Sequence, residues 1–301
     1  MPDKPSAEFA IDALLVRRLL TQASASLPDA ADQPLRHAAD GWDCAVWRLG
    51  DDLAVRLPRR GLAAPLIRHE QRWLPSIAER MEATGVRVPT PLFCGEPDAG
   101  YPWPWSIVPW IDGASGLEVL RSERSGWARP LAAALVALHA PAPPDHPVNP
   151  FRGGALADRD PTVRERLDGL RARGLRGLDG VAALWAEGLA AAPWSGPAVW
   201  IHGDLHPGNL VAEGSRLVGI IDFGDVTAGD PAYDLAVAWL AFDAVGRSRF
   251  VAATGSRYDA ATWIRARAWA VAVTLMLLHH SDDNPAYAAL GEEAAAELSS
   301  R

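Results

Sequence analysis

The 301-residue chain predicts an α+β fold in two unequal parts, a small β-rich N-terminal part and a larger, mostly helical C-terminal one. Three observations carry that expectation. Residues 44–49 and 53–57 are short strand-like runs joined by Gly50-Asp51-Asp52, a good hairpin turn. After Gly113 the apolar residues recur mainly at helical spacing. Two apolar runs, 198–201 and 217–221, interrupt that helical half, and each leads into a loop bearing a carboxylate, Asp204 and Asp222.

Taken in order, residues 8–22 place Phe9, Leu14, Leu15, Leu19 and Leu20 on one helical face, and 27–39 reads as loop. The hairpin follows the turn Asp40-Gly41-Trp42-Asp43, whose single glycine says little about phosphate binding. Residues 62–74 form a helix packed through Leu66, Ile67, Trp73 and Leu74; Pro75 should stop it or open a second one running to about Thr84. Residues 86–93 are extended and punctuated by Pro89 and Pro91, as in an edge strand. Residues 105–108 read as the last strand of this half, and Pro109-Trp110-Ile111-Asp112-Gly113 as a linker. Helices are then expected around Leu131, Leu135 and Leu138, ending near His139, over 156–178 with a solvated Arg/Asp face, and over 180–192. Three more follow Pro231, at 232–245, 260–280 and 284–299.

The composition, 49% hydrophobic and 22% charged, is that of a globular protein with a sizeable core. A net charge of -8 without a basic cluster argues against nucleic acid as a partner. Cys44 and Cys94 suggest neither a disulfide framework nor a CxxC pair, so a reducing, cytoplasmic setting is expected. Residues 1–9 are polar, with no apolar signal-peptide core, and the apolar run 269–278 is too short for a membrane span. Lys4 is the only lysine, so a phosphate-binding cation in the body of the fold must be Arg or a protonated His.

The chemistry concentrates in two motifs. In His202-Gly203-Asp204-Leu205-His206-Pro207-Gly208-Asn209 an acid is followed five positions later by Asn, and the second apolar run ends in Asp222-Phe223-Gly224. Phosphoryl transfer uses this layout: one Asp takes the acceptor's proton, while the Asn and the second Asp hold Mg²⁺. A metal hydrolase is the competing reading, because His202, Asp204 and His206 alternate as ligands on a strand would. Pro207-Gly208 follows at once, however, and no further Cys/His cluster appears downstream.

These motifs resemble the aminoglycoside phosphotransferase family, a branch of the kinase-like superfamily in which H-G-D-x-x-x-x-N replaces H-R-D-x-x-x-x-N. The resemblance implies a two-lobed protein-kinase-like fold, with a nucleotide-covering lobe at 1–108, a hinge at 109–113 and a catalytic, acceptor-binding lobe at 114–301. It implies Asp204 as catalytic base, Asn209 and Asp222 as Mg²⁺ ligands, and Gly229-Asp230-Pro231 with Asp234 as the anchor of the loop. Arg56 stands where kinases place a phosphate-contacting Lys, with Glu70 as its expected ion-pair partner; a surface strand arginine is the plainer alternative. The backbone of Trp110 or Ile111 would meet the base of ATP or GTP, since Pro109 has no N–H. The departures are Arg at 56, the glycine-poor turn, and Asp43 where similar sequences would carry Asn.

The implied function is transfer of the γ-phosphate of ATP or GTP to a small-molecule hydroxyl, with an aminoglycoside-like or macrolide-like antibiotic as acceptor. Two alternatives stay open: a catalytically silent nucleotide-binding protein of the same fold, and a kinase for a metabolic alcohol or sugar. A protein kinase does not fit, because only five residues separate Gly224 from Asp230 and no A-P-E follows. The charge of -8 and the acids Asp225, Asp243, Asp282, Asp283, Glu292 and Glu293 suggest a cationic or neutral acceptor, and Trp239, Phe242 and Trp269 are candidates to line an apolar groove. The sequence does not choose between ATP and GTP or fix an oligomeric state.

Overall fold

A computed structural model describes residues 5–98, 100–281 and 284–300. Helix α1 (Ala13–Leu20) is capped by Asp12, whose Oδ1 accepts from the Leu15 N–H at 2.8 Å, and it buries Leu15, Val16, Leu19 and Leu20. These residues cover an antiparallel sheet of β1 (Leu35–Asp40), β2 (Cys44–Leu49), β3 (Leu53–Pro58), β4 (Phe93–Gly95) and β5 (Trp105–Pro109), in the order β1-β2-β3-β5-β4. Trp47, Leu49, Val55, Leu57, Trp105 and Ile107 complete that core.

β1 corrects the loop expected over 27–39. It is an edge strand in which every residue after Leu35 is exposed, so no apolar alternation marks it in the sequence. Backbone pairing holds it, from Leu35 opposite Leu49 to Asp40 opposite Ala45.

α2 (Ala64–Met81) corrects the second expectation by running straight through Pro75. Pro75 has no N–H to offer the Gln71 carbonyl. The helix persists because Ile67, Glu70, Leu74, Ile77 and Met81 recur at spacings of three and four on one buried face. Its C-terminal half joins the core of the helical part through Leu74, Ile77 and Met81, so one helix spans both halves. The extended stretch at 86–93 also divides. Arg87 pairs with β-structure of the helical half, its N–H donating to Val218 O at 3.0 Å and its carbonyl accepting from Ile220 N at 2.9 Å. Only Phe93–Gly95 joins the sheet, at its other edge, after the prolines that interrupt a ladder.

The helical part contains β6 (Ala114–Ser115), α3 (Ala128–Leu138), α4 (Asp160–Ala172), α5 (Leu178–Ala190), β7 (Val199–Ile201), β8 (Leu210–Glu213), β9 (Arg216–Ile220) and β10 (Thr227–Gly229). It closes with α6 (Ala232–Leu235), α7 (Val237–Ala241), α8 (Ala244–Ala253), α9 (Ala260–His280) and α10 (Pro285–Ser299). The single helix expected at 232–245 is thus broken: Phe242 is extended, and Asp243 starts α8 by accepting from the Gly246 N–H at 2.8 Å. α8 escaped the sequence reading because it buries only Gly246 and Phe250, too few to show a period. α9 is long and apolar enough to cross a membrane by length and composition, yet most of it is buried against its neighbours. Strands β7 and β9 deliver the two motif loops, and their hydrogen-bonded partners, β10 for β7 and β8 for β9, hold them at a fixed register.

Candidate active site

The first loop is fixed from behind. Val199, Trp200 and Ile201 are fully enclosed, so the chain leaves β7 along one path. Gly203 turns it with φ +85°, and a Cβ there would lie 2.4 Å from Asp225 O, so only glycine fits. Asp234, completely buried, accepts from His202 N–H at 2.7 Å and Gly203 N–H at 3.1 Å, and stands 3.2 Å from His139 Nε2. Asp230 binds the guanidinium of Arg265, at 2.6 Å to Nε, and the N–H of Ala232. The two acids of the 229–234 tail therefore tie the loop to α6 and α9.

His202 is a brace. Its Nε2 lies 2.9 Å from the Ile221 carbonyl, which can only accept, so Nε2 carries the proton and Nδ1 accepts from the Asp204 N–H at 3.2 Å. With both ring nitrogens used, His202 has no lone pair for a metal, which removes the hydrolase reading. Among the described residues no group of three or more His, Cys, Asp or Glu side chains is placed to hold an ion.

Asp204 sits at the mouth of this loop, its side chain about a third exposed at 32%. Arg152 Nη2 is 3.3 Å from Oδ1 and His206 Nε2 is 3.5 Å from Oδ2. Burial pushes the carboxyl pKa up, but His206 and then Arg152 outweigh it and hold the group well below the usual carboxylate range. Asp204 is therefore ionised at neutral pH. Asn209 Nδ2 donates to Asp204 O at 2.7 Å and reaches Oδ2 at 3.4 Å, while its own carbonyl accepts from Ile221 N–H at 2.9 Å. That last bond stitches the first loop to the residue before Asp222.

Asp222 is the only non-glycine residue with positive φ among the described residues, at 63°. Such a conformation is uncommon outside glycine, although Asp tolerates it better than most residues, and it persists where the surroundings hold it. Its side chain is half exposed and receives Arg56 Nη2 at 2.9 Å; the same nitrogen lies 3.1 Å from Glu70 Oε1. Arg56 and Glu70 are thus brought together from β3 and α2, which removes the surface-arginine alternative. Burial raises the Glu70 carboxyl to about 7, against the pull of Arg56. Burial opposes the Arg56 charge as well, but the two carboxylates outweigh it and keep the guanidinium charged. Arg56 Nε–H is buried without an acceptor among the described residues.

These residues fit Mg²⁺. The ion takes one or two protein oxygens and completes its shell with water and phosphate. Asn209 has its nitrogen committed to Asp204, which leaves Oδ1 for a cation, and the Asp222 carboxylate is open to solvent. Trp110 N–H already donates to Asp52 O at 2.6 Å, so of the two backbone donors considered, Ile111 is the one without a described acceptor. Trp110 is a correction in that role; its ring is instead covered by the Arg48 guanidinium, 4.7 Å from the centroid. Ile111 packs with Val211, Val218 and Ile221 into an apolar floor beside Asp222.

Sequence reasoning missed Arg152. Beyond Asp204 it contacts Asp225 Oδ2 at 3.2 Å and Tyr233 Oη at 2.8 Å. The available signal was Arg152-Gly153-Gly154: Gly153 has φ +67°, and a Cβ there would lie 2.8 Å from Ile201 Cδ1, so the segment is pressed against β7. Tyr287 was also missed; its ring stands 5.4 Å from that of His206. Among the described residues, the acids expected to draw a cation do not converge. Asp243 caps α8, Glu293 pairs with Arg121 at 3.0 Å, and Asp225 is engaged by Arg152 and Asn149. Glu292 borders a separate cavity between α5, α9 and α10, and Asp282 and Asp283 lie outside the described residues. Of the three aromatic residues proposed for a groove, only Trp269 faces the space beside Asp225; Trp239 and Phe242 pack inward on Trp263 and Phe250.

A β-sheet lobe and a helical lobe, meeting over two carboxylate loops and an Arg–Glu pair, define a kinase-like protein with the layout of small-molecule phosphotransferases. Residues 34–269 match the model of the phosphotransferase enzyme family, and the chain belongs to that family. Its fold is similar to that of APH(2")-IIia in a GDP and kanamycin complex, with a TM-score of 0.65, 20% identity and 93% and 98% of the two chains covered. It is also similar to the macrolide 2'-phosphotransferase MphH from Brachybacterium faecium, with a TM-score of 0.58, 24% identity and 93% and 96% covered. The streptomycin-ATP complex of APH(2")-IIa is similar at a TM-score of 0.57 and 16% identity, over 96% and 98% of the chains. No curated protein matches by sequence.

Proposed function

We propose that the protein transfers the γ-phosphoryl group of ATP or GTP to a hydroxyl of a small molecule, with Mg²⁺ as cofactor. The observation that carries this reading is the convergence of Asp204, Asn209 and Asp222 on the space into which β3 carries Arg56. The nucleotide complexes of similar proteins support the choice of donor.

In the step, the acceptor oxygen bonds to the γ-phosphorus, the bond from that phosphorus to the oxygen bridging the β-phosphate breaks, and nucleoside diphosphate leaves. The hydroxyl proton passes to Asp204. A carboxylate held this far below its usual pKa is a weak base, and the loose transition state of phosphoryl transfer asks mainly for orientation. Arg152 on Oδ1 and Asn209 near Oδ2 supply that orientation as positioning residues. Asn209 and Asp222 would hold Mg²⁺, which would neutralise phosphate charge. Arg56 offers its unpaired Nε–H to a phosphate oxygen, Glu70 steadies it, and Ile111 N–H meets the base over the apolar floor. On this reading 1–108 cover the nucleotide, 109–113 are the hinge and 114–301 carry the acceptor. Both cysteines are free thiols, in keeping with a cytoplasmic protein.

The test is a coupled assay of nucleotide consumption with Mg²⁺ against a panel of hydroxylated compounds that includes kanamycin and a macrolide. Acceptor-dependent turnover that disappears in Asp204→Asn is expected. Nucleotide binding with no consumption by any acceptor would return the protein to the class of silent binders.

A further inference from the structure

A cavity of about 240 Å³ opens between the segment that carries Arg152, the N-terminal half of α4 and the middle of α9. Arg152, Arg159 and Arg166 face it against a single carboxylate, Asp225, and Tyr233 and Trp269 form its aromatic wall, their rings 4.7 Å apart. In a chain of net charge -8, this is a local inversion of sign. Arg152 is compensated by Asp204 and Asp225, but the other two are not. Arg159 donates to Pro150 O at 3.0 Å and lies over the Phe151 ring, both neutral partners. Among the described residues no hydrogen bond or ion pair engages Arg166. Burial, then Arg159 and more weakly Arg152, disfavour its charge, with Glu165 pulling the other way. Cations gathered without counter-charge in a partly enclosed space are unfavourable unless a ligand supplies the anion.

We propose that this cavity takes the acceptor, and that the acceptor is a compact alcohol bearing a carboxylate, held by Arg166 and Arg159, with its ring or chain against Tyr233 and Trp269. The inference deepens the phosphotransferase reading, since Arg152 joins the cavity wall to Asp204 across 3.3 Å. A planar guanidinium matches a carboxylate with two parallel hydrogen bonds, which gives orientation as well as attraction. The volume is below the roughly 300–1,000 Å³ of sites that enclose drug-sized ligands, so an acceptor about the size of one ring fits. It stands against the cationic or neutral acceptor suggested by overall charge.

The test is a binding titration by calorimetry on the protein alone, without nucleotide, using three matched alcohols: para-(hydroxymethyl)benzoate, the corresponding benzamide and the corresponding benzylamine. The benzoate should bind roughly tenfold or more tightly than the benzylamine, with the amide between them. Arg166→Gln should abolish the preference, and Arg166→Lys should keep its direction, which separates lost charge from lost folding. Equal affinities for the three, including no binding of any, or a preference for the amine, overturn the proposal. Because no nucleotide is present, that result is independent of whether the protein consumes ATP.

Discussion

The loops of the helical lobe and the strand that carries Arg56 face the same space but are held in different ways. On the helical side, Asp234 gathers two backbone N–H groups and His139, His202 spans two loops with both ring nitrogens, and Asn209 is bonded at both ends. On the sheet side, Arg56 meets only charges: Glu70 on α2 and Asp222 across the cleft. Directional, buried hydrogen bonds set a geometry before any ligand arrives, whereas two ion pairs to one nitrogen set a distance and little else. The helical side is therefore preorganised, and the sheet side answers to the charges present.

The largest effect that sharpens this contrast is chemical. Asp204→Asn preserves size and the contact to Arg152 but cannot accept the acceptor's proton. We expect kcat to fall by about 10²–10⁴-fold while Mg-nucleotide affinity stays within about twofold. Steady-state kinetics with calorimetry of nucleotide binding checks both halves of that statement. A variant that keeps near-normal kcat removes Asp204 from its role.

Next comes the anchor. Asp234→Ala leaves His202 N–H, Gly203 N–H and His139 facing a cavity with no acceptor, at a site from which water is excluded. A destabilisation of about 3–5 kcal/mol is expected, the size found when one partner of a buried charged network is removed. Denaturant unfolding measures it; a loss below about 1 kcal/mol means the loop is held by packing instead.

Glu70 tests the sheet side through pH. Its pKa in the folded protein is about 7, above the ordinary 4.5, because burial disfavours its charge. Between those values the folded chain keeps a proton that the unfolded chain has released. The stability this confers is complete below about pH 4.5 and is lost as pH rises to about 7, by at most about 3 kcal/mol. Unfolding of the metal-free protein across that range should show the decline, and Glu70→Gln should flatten it. Equal slopes in both proteins would place the Glu70 pKa at its ordinary value.

How far the sequence reached follows the same division. Asp204, Asn209 and Asp222 could be named because two motifs stand in order at a spacing that resembles a known family, and Arg56 with Glu70 because the same resemblance points to a strand cation and a helix carboxylate. Arg152 was not, since it arrives from a glycine-rich loop whose path is set by contact with Ile201 rather than by local pattern. β1 and α8 bury almost nothing and so carry no period to read. Pro75 misled because the cost of one missing hydrogen bond is local, while the burial that offsets it runs over 67–81. The roles of the acids could not be read from net charge, which does not say which carboxylates are already paired; Glu293 and Asp225 are.

The smallest effect, and the most direct probe of how Arg56 is held, is a double-mutant cycle. If Glu70 acts on nucleotide only by steadying Arg56, then Arg56→Ala and Glu70→Ala remove the same interaction, and the double variant should lose little more than Arg56→Ala alone. The coupling should be on the order of 1 kcal/mol, modest because Asp222 continues to hold the same guanidinium nitrogen at 2.9 Å after Glu70 is gone. Calorimetric titration of Mg-nucleotide into the four proteins reads it directly. Arg56→Lys refines the result: a point charge can keep the ion pair to Glu70 but has no second planar donor corresponding to the unpaired Nε–H, so it should recover part of the affinity and not all of it. Strict additivity of the two alanine variants would mean that Glu70 supports α2 and not the nucleotide contact, and full recovery by lysine would mean that the guanidinium fork is not used.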